Sequence, residues 1–266
     1  MAVEQPKPNG EERSAILSNG GSDMQPYFMI KSVEKAFRLI EILSEKRFAS
    51  TSDLTKALDM TKTNVHRLLL TLRKLGYVGV DSDGRRYFLS YKLFSLGCSV
   101  PERQAIVAQA YSKMENLARI THETINLAIL ADDKALYLEK IPSPEYLRID
   151  TPIGQNDPCH TTALGKILLA GLSEEEQHLY LERQDPLQAY TNNTITDPKE
   201  LVKALEKVRK LGYATDEEEI LEGVCCLAVP VRDSQGNTIA AMSVSGPKVR
   251  MSKQRMDEIK GYLLEI

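Results

Sequence analysis

Tryptophan is missing from this chain of 266 residues, and histidine and cysteine are scarce, at four each. Cys98, Cys159, Cys225 and Cys226 show no disulfide-framework spacing, which points to a reducing compartment, the cytoplasm. CC and CH doublets also lack the CxxC separation of a structural zinc site, so neither a metal nor a cofactor is expected. No apolar run approaches the ~20 residues that span a bilayer, and residues 1–28 lack the apolar core of a signal peptide. No membrane partner is expected. Those first residues are rich in Pro, Gly, Ser, Asn and acidic side chains, a composition expected to stay disordered. The histidine shortage bears on catalysis as well. A cysteine nucleophile needs a base within hydrogen-bond reach, oriented by a third group. Cys159 and His160 are adjacent, and neighbours on an extended segment point to opposite faces. A cysteine-dependent enzyme is therefore the remote alternative, and no catalytic residue is expected.

What is present begins with an uneven charge. Residues 29–92 hold 13 Lys/Arg and 7 Asp/Glu, or +6, whereas the whole chain is −3, which leaves −9 elsewhere. A basic head on an acidic body points to nucleic-acid contact at one end. Within that head, Ser50-Thr51-Ser52-Asp53 fits a capping box, followed by Leu54, Ala57 and Leu58 at helical spacing. Thr61 caps a second helix, whose Val65, Leu68, Leu69, Leu72 and Leu75 form an apolar stripe that ends at Gly76. Its other side carries Lys62, Thr63, Asn64, His66, Arg67, Arg73 and Lys74, with Leu70 among them unaccounted for by the pattern. Upstream, Val33, Ala36, Phe37, Ile40 and Leu43 give one more amphipathic helix. Downstream, two strand-like runs flank Asp83-Gly84, a hairpin signal with Arg85 and Arg86 at its tip. This is the order of a winged helix-turn-helix, which lays a helix in the major groove of double-stranded DNA and a loop beside it. The residues expected at DNA are Ser50, Thr61, Lys62, Thr63, Asn64, His66, Arg67, Arg73, Arg85 and Arg86, types that reach phosphates and base edges.

The length leaves room for about one more domain. Lys92 to His122 reads as helix interrupted near Pro101, with an apolar side of Ile106, Ala110, Met114, Leu117 and Ala118 suited to a second subunit. Beyond it, Thr124–Ile129, Ala135–Ile141 and Tyr146–Thr151 read as strands, and Thr161–Ala170, Glu174–Leu181 and Pro198–Leu211 as helices. Tyr213–Asp216, Gly223–Val231 and Thr238–Ser245 return to strands before a last helix from Ser252. The order implies an α+β domain with a largely antiparallel sheet flanked by helices. Three features there suit a small ligand: hydroxyls and amides at the helix start around Thr161 and Thr162, Gly223-Val224-Cys225-Cys226 entering a strand, and Ser243 with Ser245 on one strand face. Each has a plain structural counterpart, in a helix cap, small buried thiols or a solvent face.

Together these features resemble the IclR family of bacterial transcriptional regulators. The likeness rests on Thr63–Leu72 (TNVHRLLLTL) with LGYV after it, Ile153–Ala170 (IGQNDPCHTTALGKILLA), Gly212–Val231 (GYATDEEEILEGVCCLAVPV) and Ala240–Pro247 (AAMSVSGP). It implies a winged helix over 29–91, a linker helix over 92–122 that pairs subunits, and a GAF-like effector-binding domain over 123–266. It also implies a dimer or dimer of dimers on operator DNA, acting as a repressor of a small catabolic operon, or alternatively an activator. A small carboxylate controls such proteins, and the sugar-acid regulator branch that includes the ketodeoxygluconate repressor is similar. Carried over by motif, Ile149, Ala163, Leu164 and Val224 would wall the pocket. Asp216, Cys226, Ser243, Ser245 and His160 would be polar contacts, with the amides of Ala163 and Leu164 holding the carboxylate. Asp157 stands where an apolar residue is common, Arg148 and Lys166 are candidates to bear on the anion, and Lys166 is also read as facing out of its helix. The chain stops at Ile266, early in a last helix that the family usually continues.

Overall fold

A computed structural model describes residues 29–265, so the expected N-terminal disorder lies outside the described residues. The chain divides into two compact units near Gln104 and Ala105.

The first unit is built from α1 (Lys31–Lys46), β1 (Ala49–Ser50), α2 (Thr51–Leu58), α3 (Lys62–Lys74), β2 (Val78–Val80), β3 (Arg86–Leu89) and α4 (Tyr91–Cys98). The capping box forms as the sequence predicts. Asp53 N–H donates to Ser50 Oγ at 3.2 Å, and Ser50 N–H donates to Asp53 Oδ2 at 2.9 Å, so two otherwise unpaired donors are satisfied reciprocally. Thr61 Oγ1 accepts from Asn64 N–H to start α3. At its end Gly76 adopts φ +83°, and Tyr77 N–H donates to the Leu72 carbonyl at 2.9 Å, closing the last turn. The strands pair antiparallel in the order β1-β3-β2. Leu39, Leu43, Leu54, Leu58, Val65, Leu69, Leu72 and Val78 form the core.

The buried side of α1 matches the expected one only in part. Leu43 is buried and Ile40 packs on the core as expected, but Val33 and Phe37 are 49% and 61% exposed, and Leu39, four before Leu43, enters the core in their place. Leu75 is also exposed, because α3 closes at Lys74 and Leu75 lies in its terminal turn.

The second unit centres on a six-stranded antiparallel sheet, order β6-β5-β4-β9-β8-β7. Its strands are β4 (Thr124–Ala131), β5 (Lys134–Ile141), β6 (Asn156–Pro158), β7 (Ala214–Glu217), β8 (Val224–Arg232) and β9 (Thr238–Pro247). Strand alternation splits the core in two. Ala128, Tyr137, Ala214, Ala228 and Ala241 face one way, onto α6 (Ala163–Ala170), α7 (Glu174–Arg183) and α8 (Pro198–Leu211). Ile125, Leu127, Leu227, Val229, Met242 and Val244 face the other way, onto α5 (Pro101–Thr121) and α9 (Lys253–Leu264). Three observations correct the expectations. Tyr146–Thr151 is not a strand: prolines at 142, 144 and 152 bracket it, and residues 156–158 take the sheet edge beside β5 instead. The helix expected over Thr161–Ala170 starts at Ala163, after a 3₁₀ turn at Cys159–Thr161. Finally, Ala110, Met114 and Leu117, the middle of the α5 stripe, are fully buried against the unit's own sheet, while Ile106 and Ala118 of the same stripe stay partly exposed.

Candidate DNA interface and ligand cavity

On the first unit, Lys62, Thr63, Asn64, His66, Arg67 and Arg73 are exposed along α3, with Leu70 exposed among them. Ser50 and Thr61 sit at the starts of α2 and α3, where their hydroxyls cap. The hairpin tip is organised by Asp81, which the sequence reading passed over. Its carboxylate accepts from Arg85 N–H (2.9 Å), Arg86 N–H (3.1 Å) and Arg86 Nε (3.0 Å). Those backbone donors, more than the guanidinium charge, hold the Asp81 carboxyl below its usual range. Arg86 also lies over the Phe48 ring, 5.5 Å from its centroid. Arg86 is thus committed to shaping the wing, whereas the side chain of Arg85 extends from the tip.

On the second unit, a cavity of roughly 270 Å³ opens between the sheet and the N-terminal end of α6. It gathers Ile149, Ala163, Leu164, Asp216, Val224, Cys226, Ser243 and Ser245, eight of the nine residues expected at a ligand. Each reaches it for a structural reason. Ser243 and Ser245 share a face of β9, with hydroxyls 3.4 Å apart, and Asn126 Nδ2 donates to Ser245 Oγ at 3.1 Å. Cys226 pairs with Asp216 across β7 and β8. Thr162 Oγ1 accepts from Gly165 N–H (2.9 Å), fixing the first turn of α6, whose first two residues, Ala163 and Leu164, stand at the cavity wall.

The cavity's acid–base character comes from burial. Asp216 is 1% exposed, its Oδ1 accepts from Glu219 N–H at 2.7 Å, and its Oδ2 has no partner. Desolvation, with the Glu219 carboxylate adding to it, pushes the Asp216 carboxyl up to about 7. Burial likewise pushes the Cys226 thiol well above its usual range, so it stays protonated and acts as a small polar wall.

Two expectations are overturned. His160 is buried away from the cavity: its Nε2 lies 3.0 Å from the Gln188 carbonyl and its ring packs by Tyr190, because the 3₁₀ turn aims it toward the 188–190 loop. Lys166 does not face out of its helix. It is 4% exposed, and Nζ donates to Glu219 Oε1 (2.5 Å) and the Thr215 carbonyl (2.6 Å). Arg148 is exposed and outside the lining. Tyr137, Thr151, Gln155, Asp157, Thr162, Ile220 and Leu221 complete the wall. Of these Ile220 and Leu221 come from a loop whose lining role no periodicity signals, while Thr162 was legible as a helix cap.

Residues 32–82 match the family model described as IclR helix-turn-helix domain, and residues 98–266 match Bacterial transcriptional regulator IclR C-terminal. The chain belongs to the IclR family. Among IclR-type relatives, the HTH-type transcriptional regulator KdgR of Escherichia coli is 37% identical over 93% of both chains. The IclR transcriptional regulator of Alicyclobacillus acidocaldarius superposes with a TM-score of 0.77 at 29% identity, covering 90% of this chain and 96% of that one. An IclR homolog from Microbacterium hydrocarbonoxydans, solved in complex with 4-hydroxybenzoate, shares the fold at 22% identity, with a TM-score of 0.74 over 88% of this chain and all of that one. IclR membership makes this chain a DNA-binding transcriptional regulator and not an enzyme. Among the described residues no helix is long and apolar enough to cross a membrane.

The exposed face of α3 gives a direct prediction. Arg67→Ala removes a side chain that makes no core contact, so operator affinity should fall about tenfold to a hundredfold while the thermal melt is unchanged. Fluorescence anisotropy at fixed salt reads the effect, and wild-type affinity would remove Arg67 from the recognition set.

Proposed function

We propose that this regulator represses a small catabolic operon in the cytoplasm and is controlled by a small carboxylate, a sugar acid, bound in the cavity of its second unit. The observation carrying this reading is the cavity itself. The first residues of α6 and the hydroxyls of Ser243 and Ser245 line a space of roughly 270 Å³, about the size of a compact organic acid, where a helix start can meet a carboxylate. The 4-hydroxybenzoate complex of the Microbacterium protein supports the view that this fold accommodates a carboxylate. Resemblance to KdgR supports the sugar-acid branch.

The ligand changes DNA affinity only through different affinities for two arrangements of the regulator. A homodimer, or a pair of dimers, supplies the two recognition helices that a pseudopalindromic operator needs. Since the middle of the α5 stripe lies on its own sheet, the apolar residues available for pairing include, in the first unit, Val33 and Phe37 of α1 and Tyr91, Phe94 and Leu96 of α4, all exposed. Titrating sugar acids into the protein–operator complex tests the coupling. The affinity for DNA shifts on this reading, and a set of sugar acids that changes neither DNA affinity nor assembly overturns it.

The state of Asp216 adds a pH dependence. Its raised carboxyl is neutral below about 7 and ionises above, where it repels a ligand carboxylate. Effector affinity should therefore fall severalfold between pH 6 and 8, and Asp216→Asn should flatten that profile. The same shift bears on folding. Relative to the unfolded chain, whose carboxyl ionises near 4, the folded state loses stability as pH rises from about 4 toward 7.

A further inference from the structure

Two acids and no base line the cavity. Asp157 and Asp216 are both at the wall, and no Lys, Arg or His is among the lining residues. The nearest buried cation, Lys166, is already held by Glu219 and the Thr215 carbonyl. Asp216 Oδ2, fully buried, has no partner within the chain, which marks this wall as one that awaits a hydrogen-bonding group. Asp157 is buried as well. It is set on the edge strand β6 opposite Ala135, its Oδ1 accepts from Gln155 Nε2 at 2.8 Å, and the Tyr137 hydroxyl lies beside it.

We infer that Asp157 is a specificity determinant of this site: its carboxylate accepts from ligand hydroxyls and rejects a second ligand carboxylate, so the cavity takes polyhydroxylated monocarboxylates and refuses dicarboxylates. The inference rests on the small-carboxylate reading of the cavity and sharpens it. One carboxylate is met by the amides that start α6. A second would meet hydroxyls, the Gln155 amide already turned to Asp157, and a carboxylate of its own sign, with no counter-charge among the lining residues. Hydroxyl groups suit the remaining wall, since Ser243, Ser245 and the Tyr137 hydroxyl both donate and accept, while Asp157 accepts. A flat apolar acid would displace water from this polar wall without supplying hydrogen-bonding groups of its own, which costs affinity.

Matched pairs of sugar acids test this directly. Threonate against tartrate, and gluconate against glucarate, differ mainly in whether the far carbon is a hydroxymethyl or a carboxylate. Titration calorimetry on the full chain should show at least one aldonate binding, with its aldarate about tenfold weaker or worse, a difference of about 1.4 kcal/mol. Asp157→Asn keeps the shape and removes the charge, so it should bring the pair to within about threefold by improving the aldarate. Asp157→Ser is a second neutral variant, expected to behave alike if Asn perturbs folding. An aldarate that binds wild type as tightly as its aldonate overturns the inference while leaving the carboxylate reading intact, as does a pair whose ratio is unmoved in both variants. Failure of every member of both series to bind, in protein that still holds DNA, overturns the inference together with the sugar-acid reading beneath it.

Discussion

Gly165→Ala is expected to destabilise the second unit by about 3 kcal/mol or more, one of the largest effects available to a single methyl group in this chain. A Cβ built on Gly165 lies 2.3 Å from both Cα and O of Cys159 and 2.6 Å from its carbonyl carbon. These are main-chain atoms of the 3₁₀ turn, so no rotamer change relieves the overlap. Either the turn or α6 must move. Moving α6 disturbs the Thr162 cap, which depends on the Gly165 N–H itself, and carries the Ala163 and Leu164 amides away from the cavity. The loss is large against a typical stability of ~5–15 kcal/mol. The winged helix has its own core, Leu39 through Val78, and should keep its folding and its nonspecific DNA affinity. Urea unfolding should thus separate an early transition of the second unit from a normal one of the first. A variant that unfolds at the wild-type midpoint would show that the turn and helix can part without cost.

Gly165 also shows what the sequence does and does not disclose. A glycine inside GKILLA reads as a weak helix position, and nothing local says that another backbone passes within contact of it. The helix-turn-helix was legible because its signals are local: Ser50 and Asp53 three apart, Thr61 three before Asn64, and Gly76 just past the stripe. The eight expected cavity residues were named through the family motif, since single residues such as Ser243 also suit a solvent face. What failed was whatever tertiary contacts decide. On α1 the choice between Phe37 and Leu39 rests on which way the helix rolls onto α2, and both are apolar. Tyr146–Thr151 has strand-like residues, but the outer edge of β5, the strand it follows, is taken by residues 156–158. His160 and Lys166 lie on the right segment and point elsewhere, into partners 28 and 53 residues away.

Lys166→Met should cost about 3–5 kcal/mol, the range found when one member of a buried ion pair is removed. Lys166 and Glu219 are both nearly inaccessible, and Glu219 Oε2 has no partner even with the lysine present. Methionine fills most of the same volume, so the cavity term is small and the loss is electrostatic. The variant leaves a carboxylate in a site whose burial already raises its proton affinity, and it removes the chief opposing influence. Glu219 should respond by taking up a proton, which fixes the sign of the pH effect. In the variant the folded state holds that proton more tightly than the unfolded chain does. Stability is therefore least affected below the unfolded carboxyl value of about 4 and declines as pH rises above it. Urea unfolding of the variant should accordingly show a larger deficit at pH 8 than at pH 5. Lys166→Met with Glu219→Gln should recover most of the loss, since the pair is removed together and no charge is stranded. The consequence reaches the cavity, because Glu219 and the adjacent Ile220 and Leu221 belong to one loop, which Lys166 ties to α6 and Thr191 and Thr194 tie to the 188–195 segment through the Glu219 carbonyl. With that tie cut, ligand affinity should fall more than operator affinity. Equal stability at both pH values, or a double variant no better than the single, would mean that the pair contributes by packing and not by charge.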